Sequence, residues 1–148
     1  MTKRKVYGCL LALVLCFIFG NSMLSKETSS AISQFVADLI GVEAGEPGGD
    51  EGHFLIRKLA HIIEYAALGV ISHLFFDSLT RDKYKKYVTL SLVGAAVPLV
   101  DETVQIFSAR GPALSDVWID VGGYIVGVLA VCGAFLLARR AFEAKEKA

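Results

Sequence analysis

The chain is short of the residues that most often announce a chemistry. It has three cysteines and three histidines among 148 residues. Cys9, Cys16 and Cys132 all fall inside apolar blocks and form no CxxC, which argues against a disulfide framework or a cysteine-rich zinc site. They read as small apolar-like residues in lipid or at helix contacts. No GxxxxGK loop occurs, so ATP-driven transport has no support. No basic stripe interleaved with aromatics occurs, so no nucleic-acid partner is expected. Formal net charge is zero, and bulk charge therefore selects neither an acidic nor a basic partner. Tandem repeats and low-complexity tracts are also lacking.

Apolar residues are plentiful. They make up 54% of the chain and come in long blocks. Crossing the hydrocarbon core takes about 20 mostly apolar helical residues. Four blocks qualify, at about 6–24, 56–76, 87–107 and 117–138. The expected fold class is an all-α membrane protein, one domain over 1–148 with a bundle of about four transmembrane helices. The first block follows Lys3, Arg4 and Lys5, as a secretory signal would, and Gly20, Ser22 and Ser25 would suit cleavage. The residues before Cys16 lack the small side chain that lipoprotein processing requires. An uncleaved helix is expected, and with either outcome the chain that follows emerges on the outer side.

Lys and Arg set the orientation. Eleven of the 15 fall at the N-terminus (Lys3, Arg4, Lys5), in the second loop (Arg81, Lys83, Lys85, Lys86) and in the tail (Arg139, Arg140, Lys145, Lys147). Only Lys26, Arg57, Lys58 and Arg110 belong to the opposite set. Both termini are therefore expected in the cytoplasm, with the loop at 25–55 outside. Within that loop Ile32, Phe35, Val36, Leu39 and Ile40 recur at helical spacing after Ser29 and Ser30, which predicts an amphipathic interfacial helix. The stretch 43–52, rich in glycine and acid, predicts a solvated loop.

Ionisable groups inside spans cost about 2.5–3.5 kcal/mol each on insertion scales, so those that persist face a bundle interior, a partner or water. Here they gather at one depth. The second helix carries Arg57, Lys58, His61, Glu64 and Tyr65. Spacings of three and four put Lys58, His61 and Tyr65 on one stripe with Glu64 beside it. The third helix runs back and carries Asp101, Glu102 and Gln105 in its last two turns, one turn after Pro98. Arg110 follows in a short loop. The fourth begins with Ser115, a plausible cap, then Asp116, with Asp120 a turn deeper. Gly123 and Gly127 form a small-xxx-small face for close helix contact. The inner halves hold mainly Ser72, His73 and Ser91, of which Ser72 and His73 are expected at helix contacts. Tyr65 and Trp118 read as interfacial aromatics.

Three stretches in this layer resemble the VanZ-like family of bacterial membrane proteins: RKLAHIIEYAALG at 57–69, DETVQIFSAR at 101–110 and SDVWIDVGGYIVG at 115–127. The family pattern usually has Asn where this chain has Asp120, an added acid that alters the charge balance. The resemblance implies a bacterial plasma-membrane protein with a role in the envelope or in response to the glycopeptide antibiotic teicoplanin. It implies no reaction.

The residues leave three functions open. In the first, Arg57, Lys58 and Arg110 bind the anionic part of an envelope lipid, cell-wall precursor or glycopeptide in the outer leaflet, Arg offering a bidentate fork. His61, Tyr65, Gln105, Ser115 and the acids Glu64, Asp101, Glu102, Asp116 and Asp120 orient it or pair with the bases. In the second, His61 with Glu64 and Asp101 serves as acid and base in a hydrolase or transferase on a lipid-linked substrate. In the third, the layer only holds helices together. A triad can be written from Ser115 or Ser108, His61 and an acid, but Ser115 reads better as a cap. His61, Glu64, Asp101, Glu102 and Asp116 have the residue types for a divalent cation. With no zinc-like His/Cys set, no metal and no cofactor are expected. Membrane lipids are the expected partners.

Overall fold

The computed structural model describes residues 2–24, 28, 31–32, 35, 50–107 and 113–146. Among these the chain is helical and has no strand. Four long helices form: α1 (Lys3–Ser22), α2 (Asp50–Leu79), α3 (Lys83–Phe107) and α4 (Leu114–Glu146). Each is long and apolar enough to cross a membrane, over Lys3–Ser22, Arg57–Leu79, Lys83–Phe107 and Leu114–Lys145. The expected four-span, all-α architecture is the one found.

The helix ends differ from expectation. α2 starts at Asp50, so residues 50–52 of the expected acidic loop are its first turn. Acids at positions 50 and 51 suit a helix N-terminus, where negative charge meets the partial positive end of the dipole. α4 continues to Glu146, past the expected end near 138. Its last turns are rich in Ala, Arg, Glu and Lys, all strong helix formers, and an Arg139–Glu143 pair at 2.8 Å ties one turn to the next. Of the amphipathic segment only Ile32 and Phe35 among its five apolar positions are described, both helical and exposed. Ser29, Ser30, Val36, Leu39, Ile40 and residues 43–49 lie outside the described residues, as do Ser108 and Arg110.

A three-residue turn, 80–82, joins α2 to α3. Asp82 caps α3, its carboxylate accepting the Lys85 N–H at 3.2 Å. The reversal is also tied by Lys86, which donates to Asp77 at 2.8 Å.

α2 is the centre of the bundle and packs against the other three helices, most extensively against α4. That pairing brings backbone against backbone. A Cβ on Gly123 would come within 2.7 Å of the Ile62 carbonyl, and one on Gly127 would collide with the carbonyl of Ala66. Gly69 on α2 faces the Tyr124 carbonyl in the same way. The small-xxx-small face thus does what its spacing predicts: it lets two helices approach until dispersion, rather than hydrophobic burial, holds them. The core between the helices is Ile18, Tyr65, Leu68, Leu90 and Tyr124, with Val14, Val93 and Val128 packed against it. Large apolar side chains point outward on all four helices, among them Leu13, Phe17, Ile63, Leu92, Leu129 and Phe135. Such a surface suits lipid and not water.

Candidate functional site

The polar layer is built at one end of the bundle, and all four helices contribute. α1 and α3 arrive there with their C-terminal turns; α2 and α4 leave from it with their N-terminal turns. At about 1.5 Å per residue, His61 lies about 6 Å into the span that starts at Arg57, Asp101 about 9 Å before the end of α3, and Asp120 about 9 Å into α4. The groups therefore share one depth, below the end of the apolar spans.

Their pairings are specific. The His61 imidazole Nδ1 lies 3.2 Å from Asp120 Oδ1. The His61 and Tyr65 rings stack with centroids 6.5 Å apart, as expected for two residues on one helical stripe. Asp101 is wholly buried and receives the Ser22 hydroxyl on one oxygen and the Gln105 amide, at 3.4 Å, on the other. Glu64 turns toward α1 and accepts from the Asn21 amide at 2.9 Å. Glu102 accepts the backbone N–H of Ala113, the residue just before α4. Lys58 faces Asp116 at 3.8 Å. Arg57, Lys58, His61, Gln105, Asp116 and Asp120, with Ile119, line one narrow cleft of about 10 Å³. That volume accommodates about one water molecule or ion. Two cationic side chains thus flank the approach to a buried His–Asp pair.

A model of the VanZ/LLP1 family matches residues 7–137. The chain belongs to the VanZ/LLP1 family. No curated protein and no solved structure matches it. The family match extends beyond the three stretches that carry the resemblance and takes in most of α1. This VanZ/LLP1 protein is a multi-pass membrane protein by the same match and its four spans.

Three readings of the sequence change here. α1 carries no recognisable motif, yet Asn21 holds the half-buried Glu64 and Ser22 the buried Asp101. Their only sequence signal was that two polar side chains end an apolar run at the depth of the layer. Tyr65 is not an interfacial aromatic: it is fully buried, because its stripe faces the bundle and not the lipid. Trp118, by contrast, is 69% exposed on the outer side of α4. Ser115 lies inside α4 and donates to Asp116 at 3.1 Å, so it is not the residue that precedes the helix. The amide of Ala113, just ahead of α4, is instead satisfied from α3 by Glu102, a capping-box-like contact made across the bundle.

The remaining expectations sort by geometry. The bundle brings His61, Asp101 and Asp120 together, their ligand atoms all within 4.8 Å of one another. Glu64 and Glu102 are committed to α1 and to the start of α4. Ser72 and His73 are buried at the other end of the span, where His73 meets Lys86 at 3.4 Å and the Cys132 sulfur at 3.8 Å. They are helix-contact residues.

Proposed function

We propose that this VanZ/LLP1 protein works in the bacterial plasma membrane, where its polar layer binds the anionic headgroup of an envelope lipid in the outer leaflet. The observation that carries this reading is the cleft in which Arg57 and Lys58 flank the approach to His61 and Asp120. A cation pair at the rim of a narrow opening suits a phosphate or carboxylate, with Arg supplying two parallel N–H donors and Lys a point charge.

The cleft's volume supports a small anionic group: about 10 Å³ admits one oxygen of a phosphate. A lipid can place its headgroup at the rim while its chains lie along the exposed apolar faces of α2 and α4. Any effect on teicoplanin response would then pass through the envelope lipid and not through capture of the drug.

The test is lipid retention. Protein purified in mild detergent is analysed by native mass spectrometry, beside the Arg57→Ala/Lys58→Ala double variant. The wild type is expected to retain anionic lipid and to prefer phosphatidylglycerol over phosphatidylcholine nanodiscs. The double variant is expected to lose that preference by about tenfold or more, with helix content unchanged. Equal retention of both lipids by wild type and variant would leave the layer as helix glue only.

A further inference from the structure

We propose that His61, Asp101 and Asp120 form a binding site for one divalent transition-metal ion, zinc or manganese, inside the bundle. The inference concerns the same cleft as the lipid reading, since His61 and Asp120 line it beside Arg57 and Lys58, but it rests on a different set of groups, with Asp101 as the third ligand.

The residues come from three helices, α2, α3 and α4, and offer one imidazole nitrogen and two carboxylate oxygens within 4.8 Å of one another. Their burial makes the cluster unusual. Asp101 is 0% exposed and Asp120 is 1% exposed. Two further groups point to a missing partner. The second oxygen of Asp120 is buried and accepts no hydrogen bond, although the first is engaged by His61. The Tyr65 hydroxyl, on a residue with no exposure at all, lies beside the Asp101 carboxylate without closing a hydrogen bond to it or to anything else described. A buried carboxylate oxygen and a buried hydroxyl left without partners in one small volume each cost about 1–3 kcal/mol. An ion with its bound water satisfies both.

Charge leads to the same conclusion. Foremost among the groups acting on Asp120 are His61, Asp101 and Asp116, one imidazole against two further acids. A divalent ion with neutral imidazole and two carboxylates sums to zero, the state a bundle in lipid holds most cheaply. Donor type then narrows the ion. Calcium takes six to eight oxygens, which this set does not supply. One nitrogen and two carboxylates suit zinc or manganese, with an open position for water. Ser22 and Gln105 already orient Asp101 from behind. Such supporting hydrogen bonds are what metal sites use to fix a ligand's direction. The cleft, with room for about one water or ion, provides the route in.

Metal analysis of the whole protein tests the site. Protein carrying a tag without histidine is purified in detergent, dialysed against zinc or manganese, freed of excess ion and measured by plasma mass spectrometry and calorimetry. One equivalent per chain is expected, with a rise in unfolding temperature that EDTA reverses. Asp120→Asn keeps an acceptor for His61 and removes the charge; it is expected to lower affinity by on the order of 100-fold or more, and Tyr65→Phe by about 10–100-fold. His61→Gln serves as an independent variant where Asp120→Asn does not fold. Wild-type protein that binds neither ion, or variants that bind as tightly as wild type, would overturn the site. Lipid preference is read separately, so either result leaves the headgroup proposal where it stands.

Discussion

Asp101 illustrates how single residues hold the layer. It sits on the third span with no exposed surface, and its donors come from α1 (Ser22) and from its own helix (Gln105). In water such a carboxylate would be solvated. In the bundle it depends on these few groups. Ser22→Ala removes the hydroxyl and leaves a buried oxygen short of a donor, a loss of about 1–3 kcal/mol in soluble proteins. Measured inter-helix bonds in membranes average nearer 0.6 kcal/mol and reach about 1.7. Because Asp101 has no exposed surface, the upper part of that range is expected, about 1–2 kcal/mol, read as a shifted unfolding midpoint in mixed detergent. Ser22→Thr keeps the hydroxyl and is expected to stay near wild type. A double-mutant cycle of Ser22→Ala with Asp101→Asn isolates the pair, and a coupling near zero would show that Ser22 acts elsewhere. At this scale the sequence is a good guide to which residues are polar at depth and a poor guide to who bonds whom. His61 and Glu64 share a helix three residues apart, yet one faces Asp120 and the other Asn21. Period 3.6 places both on neighbouring stripes, and only the packing of α1 and α4 decides between them.

At the scale of elements, the α2–α4 contact governs the site. It carries His61 to Asp120 because the glycines on α4 let the two backbones close. Gly127 has the Ala66 carbonyl where a Cβ would stand. Gly127→Leu therefore forces the helices apart instead of merely crowding a side chain. Overpacking of this kind costs about 1–3 kcal/mol, and a backbone obstacle belongs at the high end. The expected result is a loss of about 3 kcal/mol together with a weakened His61–Asp120 contact. Gly122→Leu is the control, since a Cβ there meets nothing within 4 Å. Equal loss in both variants would mean that close approach at Gly127 does not set the effect, since helix propensity alone favours Leu over Gly at both positions. The glycine spacing was readable in advance, as were the four spans, because lipid imposes a length and a composition on any helix that crosses it. The partner surface was not readable, because Ala66 and Gly69 have no pattern of their own. Helix ends outside the apolar spans were misjudged for a related reason. Hydropathy marks where a helix may leave lipid, and capping and propensity decide where it stops, as in the run of α4 to Glu146.

At the scale of the whole molecule, the layer gains its meaning from the side of the membrane it faces. The fold fixes that Asn21, His61, Asp101 and Asp116 gather at one end, since successive helices alternate direction. The charge distribution predicts that this end lies outside: Arg81, Lys83, Lys85 and Lys86 cluster at the opposite turn, and Arg139 and Arg140 follow at the far end of α4. Lys58 and Arg57 oppose the trend, and they are the two cations that line the cleft. A rule that counts charges would treat them as noise; in the proposed headgroup site, binding an anion is what offsets their insertion cost. Topology mapping tests this directly. Alkaline phosphatase joined after Gly49 or Gly111 is expected to be active, and at Asp82 or the C-terminus inactive, with green fluorescent protein showing the reverse pattern. The opposite pattern would move the headgroup site to the inner leaflet while leaving its geometry, and that of the metal site, unchanged. Neutralising Arg81, Lys83, Lys85 and Lys86 together should then weaken or mix the orientation, because these four residues supply most of the bias between the second and third spans.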